Sequence, residues 1–77
     1  MYEDYNVYEV AGDGSRAIIG RSPYPSEARE YAGKVLVAEA RIEGSTVVAI
    51  VVEGADSGRV VATYNVAERR AAVERAG

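Results

Sequence analysis

The chain has 77 residues and a net charge of −3, which suits one small domain and leaves no room for a second hydrophobic core. Cysteine and histidine are both absent, which excludes disulfides, the usual zinc sites, thiol nucleophiles and imidazole bases. Acidic and basic residues are interspersed, so no basic face attracts a nucleic-acid backbone, and nucleic acid is disfavoured as a partner.

A β-hairpin is predicted at the start of the chain. Residues 4–11, DYNVYEVA, are rich in Tyr and Val and predict the first strand. Asp13 and Gly14 are typical of a hairpin turn, and residues 16–22, RAIIGRS, are predicted to return as the second strand. Gly20 within that strand indicates a bulge or a close backbone contact.

A long helix is predicted over residues 26–43. Pro25 suits the first helical position, and Glu27 favours the positive end of the helix dipole. Ser26 as the N-cap is an alternative start. Gly44 suits the left-handed residue that follows a helix.

One side of this helix carries an apolar stripe that should lie on the sheet. Its members are Ala28, Tyr31, Ala32, Val35, Ala38 and Ile42, with Leu36 at the margin. Glu39 interrupts the stripe, where it either reaches solvent at the edge or pairs with Arg21 or Arg59. Without either, burial would raise the pKa of this carboxyl.

A second hairpin and a C-terminal helical segment complete the fold. Residues 45–53 and 59–66 predict the third and fourth strands, joined by the turn GADSG, and residues 67–76 favour helix. We expect a single α+β domain over residues 1–77, ββαββ, with a four-stranded antiparallel sheet and the long helix on one face. The order of the strands stays open.

The third strand is apolar on both faces, although a single long helix can cover only one. We assign Val48, Ile50 and Val52 to the helix side. The far side then carries the candidate interface residues Val47, Ala49, Val51 and Val61. Three alternatives stay open for what covers them: the C-terminal segment folded back, a homodimer, or another protein.

Self-association is the alternative that we prefer. A domain of this size is marginally stable, and disulfides and metals are not available to reinforce it. Gly33, Val37 and Ala40 form a small-residue groove on the outward side of the helix, which indicates either a tolerated glycine or contact with a helix of another chain. We expect a homodimer, with a further protein partner possible.

Six tyrosines, with no Phe or Trp, supply the candidate recognition residues. Tyr and Arg together can stack on single-stranded nucleic acid, or they can anchor a protein interface. Tyr also replaces Phe wherever the edge of a ring meets water. The candidates for recognition are Tyr2, Tyr5, Tyr24, Arg16, Arg21 and Arg59.

Catalytic chemistry finds little support in the residues. The serines and threonines have no His or Cys to activate them, and Lys34 is the only lysine. The GDG at residues 12–14 opens no helix and is a hairpin turn, not a phosphate-binding loop. We therefore predict no catalytic, cofactor-binding or metal-binding residues.

The helix start SPYPSEAREYAG and the closing strand DSGRVVATYNV give the chain a resemblance to short ββαββ domains of unknown function in bacteria and their phages. The resemblance implies a small accessory protein of a high-GC bacterium or phage. We expect a non-catalytic protein-interaction module, with nucleic-acid binding through Tyr and Arg as the alternative. No signal-peptide pattern or membrane-spanning apolar run is present, so we expect it in the cytoplasm and not in a membrane.

Overall fold

Residues 2–76 are described by the structure, a computed structural model. The elements are, in chain order, β1 Tyr5–Ala11, β2 Arg16–Ser22, α1 Pro25–Arg41, β3 Val47–Gly54, β4 Val60–Asn65 and α2 Val66–Ala76. The strands form an antiparallel sheet in the order β2-β1-β3-β4. This arrangement confirms the predicted α+β fold, with its four-stranded antiparallel sheet, long helix and C-terminal helix.

The order of the strands follows from two hairpins that are joined by a helix. In the first turn the Asp13 carboxylate accepts hydrogen bonds from the backbone N–H and the Oγ of Ser15, at 2.9 and 2.6 Å. Gly14 adopts a φ of 89° in this turn, which glycine allows without strain. Because α1 crosses the sheet, β3 pairs with β1. β1 and β3 are thus central, and β2 and β4 are the edges.

α1 begins and ends close to its predicted bounds. Pro25 is its first residue, so the alternative start with Ser26 as the N-cap is wrong. The helix ends at Arg41, before the predicted end at residue 43, because Ile42 adopts an extended conformation. Gly44 has the expected positive φ, of 78°, but it lies in the turn that follows the helix.

The hydrophobic core lies between α1 and the two central strands. Its buried members are Val7, Ala28, Ala32, Ile50 and Val52. The predicted helix stripe is correct for both alanines and for Val35, whereas Tyr31, Ala38 and Ile42 are exposed. The helix is turned so that Leu36 packs against the core in their place.

Gly20 in β2 combines both features that were predicted for it. The register between β1 and β2 shifts there, and Ile19 is the extra residue of a bulge. The ring of Tyr31 lies over Gly20, where a Cβ atom would stand 2.6 Å from Cε2 of the ring. The Tyr31 hydroxyl donates a hydrogen bond to the backbone oxygen of Ile19 at 3.0 Å. This contact ties the edge strand β2 to α1.

Bulges in β3 and β4 change the face of several apolar residues. The pairing of β1 with β3 skips Val48, and the pairing of β3 with β4 skips Val61. Val47 and Val61 pack against the core, so their assignment to the far side of the sheet is wrong. Val48, assigned to the helix side, is 44% exposed. The extra residue of a bulge interrupts the strict alternation of a strand, on which those assignments depended.

The far face is the face of the sheet opposite α1. Val7, Val52 and Ala62 are aligned across the strands on the core side, so the next aligned row, with Tyr8, Val51 and Thr63, lies on the far face. The residues that we assign to the far face are Tyr8, Val10, Arg16, Ile18, Ala49, Val51, Glu53 and Thr63. Only part of this surface is apolar, in contrast to the prediction.

α2 packs beside the end of α1 and does not cover the far face. Asn65 caps it, since its Oδ1 accepts the N–H of Glu68 at 2.9 Å. Arg70 donates hydrogen bonds to the backbone oxygens of Ala40 and Ile42, each at 3.1 Å. The last carbonyls of a helix have no partner within the helix, and Arg70 supplies one. The alternative in which this segment covers the far face therefore does not hold.

Candidate functional site

Three tyrosines and two prolines line a groove at the end of the molecule where α1 begins. The groove has a volume of about 530 Å³. Its lining residues are Tyr2, Glu3, Asp4, Tyr5, Pro23, Tyr24 and Pro25. We call it the tyrosine groove. It brings together the three tyrosines that the sequence singled out for recognition.

The two prolines explain why Tyr24 is displayed on the surface. Tyr24 lies between Pro23 and Pro25 and precedes a proline, which disfavours the helical conformation. It is accordingly extended, with φ −114° and ψ 124°, and stands just before the helix. Its N–H donates to the Oγ of Ser22 at 3.1 Å, which fixes the bend between β2 and α1. Tyr24 is 60% exposed, so much of its surface is open to a ligand.

Glu3 fastens the other wall of the groove to the turn between β3 and β4. Its carboxylate accepts the backbone N–H groups of Ser57 at 3.0 Å and Asp56 at 3.1 Å, as well as the Ser57 hydroxyl. These hydrogen bonds, foremost that from the Ser57 N–H, lower the pKa of Glu3. Gly54 leaves the room for this contact, because a Cβ there would collide with the Glu3 carboxylate. Nothing local in the sequence indicates a contact between residues so far apart.

The charged residues that line the tyrosine groove are acidic, and two arginines, Arg29 and Arg59, lie in the cavity that adjoins it. Asp4 accepts a hydrogen bond from the Nε of Arg21 at 2.9 Å, on an exposed part of the surface. Glu27 accepts one from the Ser22 hydroxyl at 3.0 Å. Arg21 is therefore engaged with a carboxylate beside the groove and does not line it.

The other two candidate arginines lie elsewhere. Arg16 crosses the far face, where its guanidinium stacks over the ring of Tyr8, 4.0 Å from the centroid, and binds Glu53 at 2.8 Å. Arg59 and Arg29 line a cavity of about 210 Å³ that adjoins the tyrosine groove and shares Glu3, Tyr5 and Pro25 with it. Of the predicted combination of Tyr and Arg, Tyr5 and Arg59 therefore meet in this adjoining cavity, whereas Arg16 and Arg21 line neither cavity.

The candidate interface residues of the sheet separate into two groups, and those of α1 form a third. Val47 and Val61 belong with the core, as described above. Ala49 and Val51 are half-buried on the far face, where Ile18, which the sequence did not single out, is 60% exposed. A contact of the far face with another chain stays a prediction.

The small-residue groove on α1 is only partly open. Gly33, Val37 and Ala40 are half-buried, and the backbone oxygen of Ala40 is bonded to Arg70 of α2. No atom lies within 4 Å of the position that a Cβ would take at Gly33. Gly33 therefore makes no close contact within the described residues.

Glu39 faces another carboxyl group instead of an arginine. The pKa of Glu9 is raised, first by burial and then by a hydrogen bond and the negative charge of Glu39. Glu39 in turn accepts the Ser45 hydroxyl at 2.6 Å. The predicted pairing of Glu39 with Arg21 or Arg59 is wrong. Glu9 shares a face of β1 with the core residue Val7 and so faces α1, and this spacing in the sequence could have shown that Glu9 and Glu39 meet.

Residues 2–76 contain no group of three or more Asp and Glu side chains that could hold a metal ion. Within the same range, no helix is long and apolar enough to cross a membrane. No family model, curated protein or solved structure matches the chain.

Proposed function

We propose that this protein is a non-catalytic interaction module that binds an extended, proline-containing segment of a partner protein in the tyrosine groove. The observation that carries the proposal is the placement of Tyr5 and Tyr24 with Pro23 and Pro25 on one groove, which the fully exposed Tyr2 also lines. Proline-rich segments form an extended polyproline II helix before they bind. This helix docks between aromatic rings and loses little conformational entropy on binding. We keep the cytoplasm as the expected location.

The charges support a peptide over a nucleic acid. Glu3 and Asp4 line the groove, and no arginine does. A phosphate backbone in the groove would meet these carboxylates, because Arg29 and Arg59 lie in the adjoining cavity and not in the groove itself. A partner segment that carries an arginine beside its prolines suits the same surroundings. The geometry therefore favours the protein-binding function over the nucleic-acid alternative.

The test is a titration followed by NMR with a probe peptide that contains two prolines three positions apart and one flanking arginine. We expect amide shifts to cluster at residues 2–5 and 22–25. Tyr24→Ala should weaken binding at least about tenfold, since an exposed aromatic anchor is lost. Val73→Ala is the control, because Val73 is 50% exposed on α2 and lies outside the groove.

Two outcomes would count against the proposal. Absence of shifts in the groove at millimolar peptide would overturn it, as would equal affinity for the Tyr24→Ala variant. A short single-stranded oligonucleotide, titrated at low salt, tests the alternative in parallel. Binding of the oligonucleotide that weakens steeply with added salt would replace the peptide with a nucleic acid.

A further inference from the structure

β4 is an edge strand that lacks the usual protection. It pairs with β3 on one side, and no described residue pairs with its other side. Its residues, VVATYN, include no charge and no proline. Natural sheets guard their edges with charges, prolines and bulges, because an open edge pairs with further strands.

The opposite edge, β2, has these protections. It carries Arg16 and Arg21, is bulged at Ile19, and is followed at once by Pro23. β4 has a bulge only near its start, at Val61. The regular part of β4, residues 62–65, is therefore the edge at which another strand can be added.

Two cavities open between α1 and β4, one at each end of the strand. At the start of the strand, a cavity of about 210 Å³ opens beside Arg29 and Val61. At its end, a cavity of about 280 Å³ opens between Leu36 and Tyr64, and the charged residues Glu68 and Arg69 of α2 also line it. Gly33 lies on the same side of α1, four residues after Arg29 and three before Leu36, with open space where a Cβ would be. A partner along β4 thus gains space in both layers.

We propose that β4 binds β4 of a second copy of this chain, antiparallel across a two-fold axis, so that the sheet continues through the dimer. The proposal does not rest on the function assigned to the tyrosine groove, but the cavity at the start of β4 shares Glu3, Tyr5 and Pro25 with that groove. A two-fold axis places the same surface on both copies, so the strand must be complementary to itself. The sequence of β4 meets this condition.

The register follows from the two faces of the strand. If the helices of both copies lie on the same side of the sheet, residues of the helix side must oppose each other across the two strands. The two-fold axis then passes midway between the two copies of one residue, which oppose each other directly. With the axis at Thr63, Thr63 of one copy opposes Thr63 of the other, a favourable pair. On the helix side Ala62 opposes Tyr64 twice, a small residue against a large one. The cavity at the start of one β4 also meets the cavity at the end of the other.

The size of the interface indicates a weak dimer. About an axis at Thr63 the paired span is residues 61–65; five residues of strand are about 17 Å long, and a sheet with one helix layer is about 20 Å thick, which gives a footprint of roughly 340 Å² per copy. Stable protein interfaces bury about 800 Å² per partner. We therefore expect a dimer that dissociates at micromolar concentration and assembles towards millimolar concentration.

Sedimentation over that concentration range, with Thr63→Lys, tests the proposal. The mass of the natural chain should rise from 8.2 kDa towards twice this value, whereas the variant should stay at 8.2 kDa. Thr63 is exposed, and lysine is a residue that guards natural edges, so the monomer should keep its fold. Thr46→Lys is the matched control, because Thr46 is also exposed but lies outside the strands. Unchanged circular dichroism of both variants confirms that they are folded.

A cross-link tests the register. Because the chain has no cysteine, Thr63→Cys supplies a single thiol, and opposed residues of antiparallel strands have Cα atoms about 4.5–5.5 Å apart, within the range of a disulfide. Oxidation should give a covalent dimer much faster than with Thr46→Cys. Equal rates, a natural chain that is monomeric at millimolar concentration, or a dimer that resists Thr63→Lys would each overturn the proposal. The Thr63→Lys variant should still bind the probe peptide in the tyrosine groove. Failure of the dimer proposal can therefore be told apart from failure of the groove proposal.

Discussion

Gly20 is crowded by a neighbouring side chain and Gly33 has open space around it, so substitution by alanine should change the free energy of unfolding in opposite directions. Gly20 lies under the ring of Tyr31, which is held by its hydrogen bond to the backbone oxygen of Ile19. An added Cβ must displace the ring, and we expect Gly20→Ala to reduce the free energy of unfolding by about 1–2 kcal/mol. Urea unfolding followed by circular dichroism measures the change.

Gly33→Ala is the matched control at the residue scale. Gly33 is helical with no atom near the position of a Cβ, so the substitution should stabilise the chain by about 0.5–1 kcal/mol. The measurement should be made at micromolar concentration, where the chain is expected to be monomeric. Equal effects of the two substitutions would contradict the role given to Tyr31.

At the scale of the elements, β3 presents two valines that look alike in the sequence and differ in place. Val47 packs against the core, whereas Val51 is on the far face beside Tyr8 and Thr63. We expect Val47→Asp to cost about 2–4 kcal/mol, because a charge enters the core. Val51→Asp should cost about 1 kcal/mol, mostly through the low strand propensity of Asp.

The same unfolding measurement on both variants decides between the observed and the strictly alternating arrangement of β3. If the alternation continued to Val47, both residues would lie on the far face and the two costs would be similar. A larger cost at Val51 than at Val47 would contradict the bulge at Val48.

Local signals carried most of the fold prediction, and distant contacts account for its errors. Pro25, the Asp13–Gly14 turn and the rise in Val and Tyr content are readable from neighbouring residues, and the elements follow them closely. A bulge is decided by the partner strand, so the period of two in β3 gave no warning of it. The interface residues that depended on that period were accordingly misplaced.

The candidate site shows the same division. The sequence singled out Tyr2, Tyr5 and Tyr24 for their type, and the fold brings them together. The hydrogen bonds from Asp56 and Ser57 to Glu3, which hold one wall of the groove, join residues more than fifty positions apart and have no local signature. Residue type was therefore readable in advance, while the groove itself depends on the tertiary structure.

At the scale of the whole molecule, we expect three carboxyl groups to place the optimum of stability on the acidic side of neutral pH. The pKa of Glu9 is raised above its ordinary 4.5, so its contribution is complete below that value and is lost as the pH rises through the folded pKa. The pKa values of Glu3 and Asp13 are lowered by hydrogen bonds, chiefly from Ser57 and Ser15 respectively. Their contributions are present above the ordinary pKa and are lost as the pH falls through the folded values.

The midpoint of thermal unfolding, measured as a function of pH, tests this optimum. One variant changes the neutral limb of that curve and another changes its acidic limb. Glu9→Gln should raise the midpoint at neutral pH and leave it unchanged below about pH 4, since the glutamine carries no charge to face Glu39. Glu3→Gln should lower the midpoint at neutral pH and reduce its fall towards acid, because the charged acceptor for the turn is lost. The two variants thus act on opposite limbs of one curve. A midpoint that rises steadily from pH 4 to pH 7 in the natural chain would show that the repulsion between Glu9 and Glu39 is too weak to shape its stability.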